Sequence, residues 1–271
     1  MSTPAQRLSA LGLNAKKALG QHFLHDRGIV ERICAVASLK PDATVVEIGP
    51  GLGILTEALA ERVATVVALE KDEQLAAALR TIVPPNVDVR AVDALACDAA
   101  ELAPAPYDLV ANLPYNVATA ILRRFLDSAH PPRSCTFMVQ REVAERMVTR
   151  PPDMNILAVA MQFHGSPRIA LHIGRGAFTP PPRVSSAVVH MMVERKFDVP
   201  QAELAAFFEL VRAGFSARRK TLRNSLLVGG LSVDAVDSML LQARIDGSRR
   251  PQMLDVADWY ALFVAGQRIA R

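Results

Sequence analysis

Residues 43–53 read ATVVEIGPGLG, and this stretch determines the fold class. The first six residues are mostly β-branched and apolar, as in a strand that is buried on both faces of a parallel sheet. Gly49, Gly51 and Gly53 then predict a tight turn whose backbone approaches a ligand closely, and residues 54–62 predict a helix. A strand, a turn and a helix in this order place a ligand site at the carboxyl end of the strand.

The glycine turn is not the dinucleotide pattern G-x-G-x-x-G, because Ile54 stands where the third glycine would be. A G-x-G-x-G turn suits a ligand without a pyrophosphate, such as an adenosyl amino acid. Glu47, inside the strand, is interpreted as supporting the turn or, through water, an ammonium group of the ligand. The alternative for Glu47 is a strand acid that faces an edge.

The pattern of strands and helices continues along the chain and then changes. Alternating strands and helices up to residue 148 indicate a mostly parallel sheet with helices on both faces. Two strands without a helix between them, at residues 169–173 and 187–193, predict an antiparallel hairpin at the sheet edge. From residue 201 onward only helices are predicted. We therefore predict an α/β domain over residues 1–199 and a small all-helical domain over residues 200–271.

Composition excludes several classes of protein. A hydrophobic content of 51% with 21% charged residues is typical of a globular chain. No apolar run reaches the ~18 residues that a membrane helix needs, and no signal peptide is recognised. Cys34, Cys97 and Cys135 are odd in number and lie among apolar residues, which favours reduced thiols and a cytoplasmic location. No Cys or His pair has metal-ligand spacing, so we predict no metal.

Two acids follow the next predicted strands. Glu70 ends the second strand, where a carboxylate accepts hydrogen bonds from ribose hydroxyls. Asp93 ends the third strand, where it can accept a hydrogen bond from an adenine amino group. Either acid alone is more simply a solvated strand end, but with the glycines they favour a ligand that contains adenosine.

A second polar group follows the fourth strand. Residues 112–116 read NLPYN and place an amide, a proline and an aromatic ring between strand 107–111 and helix 117–126. The amide of Asn112 can accept hydrogen bonds, and the ring of Tyr115 offers a flat face to a planar substrate. The alternative is an ordinary strand-to-helix turn, in which asparagine and proline are common.

The charge of the chain is mildly basic, at +4 with a pI of about 9.2. Residues 212–223 hold five cations and no acid: Arg212, Arg218, Arg219, Lys220 and Arg223. Such a run is usually a solvated helix face, yet the missing acids favour contacts with RNA phosphates.

Five motifs in this order resemble the ribosomal RNA adenine dimethyltransferases, and specifically their bacterial small-subunit (KsgA) type. The motifs are KALGQHFL (17–24), EIGPGLGILT (47–56), NLPYN (112–116), FTPPPRV (178–184) and FSARRKTLRNSL (215–226). The resemblance covers nearly the whole chain from about residue 16, and the set of motifs is highly specific.

The resemblance implies a Rossmann-like enzyme that depends on S-adenosylmethionine. Such an enzyme dimethylates the exocyclic amine of two adjacent adenosines in the 3′-terminal hairpin loop of 16S rRNA. The implied cofactor contacts are His22, Leu24, Gly49, Glu70, Asp93 and Asn112, with Gly51 as a neighbour. The implied catalytic residues are Asn112, Tyr115 and Phe178, and Arg218, Arg219, Lys220 and Arg223 are expected to bind RNA.

The implied partners are 16S rRNA and the immature 30S subunit, without a membrane, and we expect a monomer. Two departures from the family pattern are His22, where asparagine is usual, and residues 153–157, where a Tyr-Gly-Arg-Leu-like segment is usual. Two alternatives remain open: a large-subunit rRNA adenine methyltransferase, and an assembly or RNA-binding factor with little catalysis. Leu113 and residues 218–226 argue against the first of these.

Overall fold

The computed structural model describes residue 6 and residues 22–102, 105–113 and 117–270. The chain divides into two compact units. Unit 1 comprises Met1–Ala144 and Pro167–Val193, and unit 2 comprises Glu145–Ser166 and Glu194–Arg271. No helix within the described ranges is both long and apolar enough to cross a membrane.

The strands of the described chain all lie in unit 1. In chain order they are β1 (Phe23–Leu24), β2 (Thr44–Ile48), β3 (Thr65–Glu70), β4 (Val87–Ala91), β5 (Tyr107–Asn112), β6 (Ser134–Gln140), β7 (Arg168–Ile173), β8 (Phe178–Thr179) and β9 (Ser186–Met192). Seven of them form one sheet in the order β4-β3-β2-β5-β6-β9-β7. Neighbours from β4 to β6 are parallel, and β9 is antiparallel to both β6 and β7. The predicted parallel sheet with an antiparallel edge hairpin is therefore confirmed.

The helices carry the chain back between strands and then form unit 2. They are α1 (Arg27–Ala37), α2 (Ile54–Ala60), α3 (Glu73–Arg80), α4 (Ala99–Leu102), α5 (Ala118–Leu126), α6 (Arg141–Val148), α7 (Ile156–Phe163), α8 (Leu204–Gly214), α9 (Leu222–Val228), α10 (Val233–Ala243) and α11 (Val256–Ala270). Helix α3 begins where expected, because the Asp72 carboxylate accepts hydrogen bonds from the Gln74 and Leu75 amides at 3.1 and 3.4 Å.

The core of unit 1 forms where the apolar faces of its helices meet the apolar residues of its strands. In α1 the buried residues Val30, Ile33, Cys34 and Ala37 recur at helical spacing and make one apolar face. This face belongs to the same buried cluster as Val45 of β2 and residues of β3 and β5. Helix α1 thus packs against the sheet, and the carboxyl ends of the strands remain available for a site.

Unit 2 is a set of helices around its own apolar core. Trp259 is fully buried, and a Cβ on residue 214 would lie 2.2 Å from its ring, so only glycine fits there. Met154 and Phe163 lie in the same buried cluster as Phe207 and Trp259. Their burial explains why residues 145–166 belong to this unit, although the sequence-based boundary at residue 200 assigns them to the first domain.

Candidate active site

The glycine turn follows β2 and requires its glycines. Gly49, Gly51 and Gly53 have φ angles of +75°, +57° and +82°, a region that side chains rarely adopt. A Cβ on residue 49 would lie only 2.9 Å from the backbone carbonyl oxygen of Asn112. The turn is therefore held close to the end of β5, and a larger residue at position 49 would push the two apart.

The register of the sheet brings three predicted site residues to one level. Ile48 pairs with Leu69 of β3 and with Ala111 of β5, so the next residues, Gly49, Glu70 and Asn112, are neighbours. We call these three residues the sheet rim. They lie at the carboxyl ends of three adjacent parallel strands, where open α/β sheets bind ligands.

Glu70 connects its strand to the glycine turn. Its carboxylate is 8% exposed and accepts hydrogen bonds from the Asp72 amide at 2.9 Å and the Gly51 amide at 3.4 Å. Burial raises the pKa of Glu70, while these backbone hydrogen bonds oppose the rise. A carboxylate has about four acceptor positions, so it has capacity for ribose hydroxyls as well.

Asp93 lies just beyond β4 in a more open environment. Its side chain is 32% exposed and accepts hydrogen bonds from the Lys71 ammonium at 2.7 Å and from the Leu95 amide at 3.0 Å. The hydrogen bond from Lys71 is the main reason why the pKa of Asp93 is lowered, so the group stays ionised at neutral pH. Sequence reasoning missed Lys71, although it directly follows Glu70.

A small second sheet brings the other predicted residues together. β1 pairs with β8, which places Leu24 opposite Phe178, and the Nδ1 atom of His22 lies 2.8 Å from the carbonyl oxygen of Pro180. The ring of Phe23 lies against the glycine turn, since a Cβ on Gly51 would be 3.2 Å from it. Sequence reasoning did not predict these two-residue strands or a contact by Phe23.

Phe178 is an interior residue in this structure. Its side chain is 2% exposed and lies in the main core cluster together with Leu24 and Ile173. A base can therefore stack on Phe178 only if its surroundings move, and the predicted stacking role stays a prediction. Tyr115, the other predicted stacking residue, lies outside the described residues.

We call residues 216–223 the basic segment of unit 2. It leads into α9, which begins at Leu222. Arg218, Arg219 and Lys220 are exposed, as a phosphate-binding role requires. Arg223 instead forms two hydrogen bonds with the Asp237 carboxylate, at 2.6 and 2.9 Å, so much of its guanidinium is engaged within the unit. Its role in RNA binding stays a prediction.

A second segment of unit 2 adds cations beside the basic segment. The amides of Leu222 and Arg223 donate to the carbonyl oxygens of Arg249 and Gly247, at 2.6 and 3.1 Å. Residues 244–250 therefore lie next to the start of α9 and contribute the exposed Arg244 and Arg250. They were missed because they lie more than 20 residues further along the chain.

The residues of the rim fit an adenosyl amino acid. The glycine turn lies beside the buried carboxylate of Glu70, which accepts from the Gly51 amide and keeps acceptor positions for ribose hydroxyls. No cluster of three or more metal-ligating side chains occurs among the residues that the structure describes. An open parallel α/β sheet with this turn and this acid defines an S-adenosylmethionine-dependent methyltransferase.

Comparisons with known proteins identify the family. A model of the ribosomal RNA adenine dimethylase family matches residues 12–262, and the chain belongs to this family. Two similar proteins are named ribosomal RNA small subunit methyltransferase A. The one from Dehalococcoides mccartyi is 40% identical and aligns over 97% of this chain and 92% of its own length. The one from Sphingopyxis alaskensis is 43% identical and aligns over 93% of this chain and 94% of its own length.

Solved structures show the same architecture. The 23S rRNA methyltransferase ErmE aligns with a TM-score of 0.70 and 28% identity, over 90% of this chain and 99% of its own. A dimethyladenosine transferase from Plasmodium falciparum aligns with a TM-score of 0.80 and 21% identity, over 92% and 98%. The second of these supports the fold alone.

Proposed function

We propose that this enzyme dimethylates the exocyclic amines of two adjacent adenosines in the 3′-terminal hairpin loop of 16S rRNA, with S-adenosylmethionine as methyl donor. The proposal rests on the sheet rim, where Gly49, Glu70 and Asn112 are neighbours at the ends of adjacent strands. The names of the similar proteins support the small subunit as the source of the RNA.

The cofactor fits the rim from the side of the glycine turn. Gly49 and Gly51 would lie along its methionine part, Glu70 would accept from the ribose hydroxyls, and Asp93 from the adenine amine. His22 and Leu24 would line the same site, since β1 lies against the turn through Phe23. The cofactor supplies an electrophilic methyl group on a sulfonium, and the protein supplies position.

The substrate amine needs orientation, because its lone pair is delocalised into the adenine ring. The side-chain oxygen of Asn112 and a backbone carbonyl near Leu113 would accept the two amine hydrogens and direct the lone pair at the methyl group. Tyr115 would stack on the base, and Phe178 would close the other face after a local movement. The target base must leave its stack, which costs least for an adenosine in a loop.

The RNA and the assembling 30S subunit are the proposed partners of a monomeric, cytoplasmic enzyme. Arg218, Arg219 and Lys220 are exposed in unit 2 and would bind phosphates, which attract such cations independently of base sequence. Arg223 would then act mainly by holding the start of α9 against α10 through Asp237.

The second candidate function is methylation of large-subunit RNA. It is favoured by one observation, the alignment of the 23S rRNA methyltransferase ErmE over 99% of its length. The identity to that protein is 28%, however, against 40% and 43% for the two small-subunit relatives. A non-catalytic assembly role is disfavoured by the preserved glycine turn and the buried Glu70.

The test is methyl transfer to purified 30S subunits and to 50S subunits from cells that lack these modifications. Mass spectrometry of RNA fragments then locates the product. We expect dimethyladenosine at two adjacent positions of the 3′-terminal hairpin loop of 16S rRNA. Methylation confined to 23S rRNA would establish the second candidate instead, and no transfer to either RNA, with cofactor binding lost, would favour the assembly role.

A further inference from the structure

The residues after β4 form a compact turn that carries the acid proposed to meet adenine. The backbone carbonyl of Asp93 accepts hydrogen bonds from the amides of Ala96 and Cys97, at 2.8 and 3.1 Å. Its carboxylate accepts a further hydrogen bond from the Leu95 amide at 3.0 Å. We call residues 93–97 the Asp93 turn. These internal hydrogen bonds fix its shape, whereas its position depends on contacts with other segments.

Two cationic side chains hold the Asp93 turn from opposite ends. At its start, the Lys71 ammonium pairs with the Asp93 carboxylate at 2.7 Å. At its far end, the guanidinium of Arg124 donates to two consecutive backbone carbonyls. Its Nε atom lies 2.5 Å from the Cys97 oxygen, and its Nη2 atom lies 3.4 Å from the Ala96 oxygen. The planar fork of an arginine suits such a double contact, and the charge of the donor strengthens it.

The contact of Arg124 is unusual for an exposed arginine on a helix, since such a side chain commonly pairs with an acid one turn away. Its neighbour Arg123 does so, with its Nη2 atom 3.1 Å from the Asp127 carboxylate. Arg124 is exposed as well, yet it donates to carbonyls that lie 27 and 28 residues earlier in the chain. Its guanidinium therefore connects α5 to the Asp93 turn.

Helix α5 is a firm support for this connection. Its residues Ile121, Leu122 and Phe125 are buried, so the helix is fixed to the body of unit 1. A binding group on a loop recognises its ligand well only if a rigid element holds it within about 0.5 Å of the right place. Arg124 extends the rigidity of α5 to the turn that presents the Asp93 carboxylate.

We propose that Arg124 is a positioning residue for adenine recognition. It holds the Asp93 turn in the place where the Asp93 carboxylate meets the exocyclic amine of the cofactor's adenine. Arg124 itself does not touch the cofactor, and it acts on the backbone of the turn, whereas Lys71 pairs with the carboxylate. The inference rests on the proposed cofactor site. It makes Arg124 a determinant of the preference for adenine over a base that lacks the amine.

The experiment is calorimetric titration of the full chain with two probes, S-adenosylhomocysteine and S-inosylhomocysteine. The second probe has an oxygen in place of the adenine amine and is otherwise the same. The variant Arg124→Met keeps a long side chain without its donors, and should bind S-adenosylhomocysteine about tenfold more weakly. Binding of S-inosylhomocysteine should weaken less than about twofold, because it makes no amine contact with Asp93. The preference for the adenosyl probe should thus fall at least about fivefold.

Kinetics and control variants separate positioning from a general loss of stability. In methyl transfer by Arg124→Met, KM for S-adenosylmethionine should rise about tenfold and kcat should change less than about twofold, because the adenine is remote from the transferred methyl. Arg124→Lys keeps a charged donor for one carbonyl and should lose less than about threefold in affinity. The control is Arg62→Met, which removes an arginine that donates to the Ala58 carbonyl of α2 at 2.6 Å. It should keep the wild-type preference between the probes.

The outcomes distinguish the role of Arg124 from the cofactor site on which it rests. An unchanged preference in Arg124→Met, with the wild type preferring the adenosyl probe, would overturn the role of Arg124 alone. If the wild type binds both probes equally, the adenine contact of Asp93 is wrong and the role of Arg124 with it. If the wild type binds neither, the proposed cofactor site itself fails. Should Arg124→Met not fold, Arg124→Gln replaces it, and its preference should fall at least about threefold because the shorter amide cannot reach both carbonyls.

Discussion

The sheet rim of unit 1 and the basic segment of unit 2 serve the proposed reaction in opposite ways. At the rim the backbone is constrained: Gly49 packs on the Asn112 carbonyl, and Glu70 holds the turn through the Gly51 amide. In the basic segment Arg218, Arg219 and Lys220 are exposed and act as charges rather than as shaped contacts. Single substitutions at the rim should therefore have large effects on function. Substitutions in the basic segment should have smaller effects that add up as charges are removed.

The largest effect is expected for Gly49→Ala. The new Cβ would lie 2.9 Å from a backbone oxygen in a strained conformation, so the turn must shift away from β5. Affinity for S-adenosylmethionine should fall about 100-fold, a cost of roughly 2–3 kcal/mol, as measured by calorimetry. Gly176→Ala is the matched control, because nothing lies within 4 Å of its Cβ position. Equal affinities in the two variants would show that the rim is not rigid.

The next effect concerns the exposed cations. Replacing Arg218, Arg219 and Lys220 with alanine should lower affinity for RNA about tenfold at low salt and make the slope of log K against log salt shallower by about 2. Cofactor affinity should not change. The control replaces Arg32 and Lys40, exposed cations of unit 1, and should leave the slope nearly as in the wild type. An unchanged slope in the triple variant would exclude phosphate contacts by this segment.

A substitution at Phe178 tests whether this buried residue also contacts the substrate. Phe178→Leu should cost about 1–2 kcal/mol of unfolding free energy as a core change. If Phe178 also closes on the base, methyl transfer should fall about tenfold further, which a stacking contribution of roughly 1–3 kcal/mol allows. Phe207→Leu, a core change in unit 2, calibrates the stability effect. A normal rate of transfer in folded Phe178→Leu would restrict this residue to packing.

The smallest effect is expected at the open end of the cofactor site. Lys71→Met removes an exposed ion pair with Asp93, and such pairs contribute about 0–1 kcal/mol. Affinity for S-adenosylmethionine should therefore fall less than about fivefold by calorimetry. A much larger loss would show that Lys71 orients Asp93 for the adenine amine and that this end of the site is as constrained as the rim.

Much of unit 1 was predictable because its strands are almost continuously apolar. The strand Thr44–Ile48 was placed to within one residue at each end, the strand Thr65–Glu70 ends at Glu70 as predicted, and the sheet rim follows from these ends. The short pairing of β1 with β8 was not predictable, since two residues carry no periodicity. Helix α7 was not predicted; it begins within the segment that departs from the family pattern. It is buried among the C-terminal helices, and these contacts are far away in sequence.

The site was predictable in its residue types but not in its electrostatics. Sequence alone places Glu47, Glu70 and Asp93 near strand ends, and it does not distinguish their environments. The structure separates a fully buried acid, a buried acid bound to backbone amides and a partly exposed acid paired with Lys71. In the same way the pairing of Arg223 with Asp237 depends on how α9 packs beside α10.

The central claim is that Asn112 lies where methyl donor and adenine meet, and one variant tests it most directly. Single-turnover methyl transfer and calorimetric cofactor binding are measured on the same preparation of Asn112→Ala. We predict that transfer falls at least about 100-fold, as when an oriented polar group is removed from a reaction site, while cofactor affinity falls less than about tenfold. Wild-type transfer in this variant, or a loss explained entirely by weaker cofactor binding, would contradict the account.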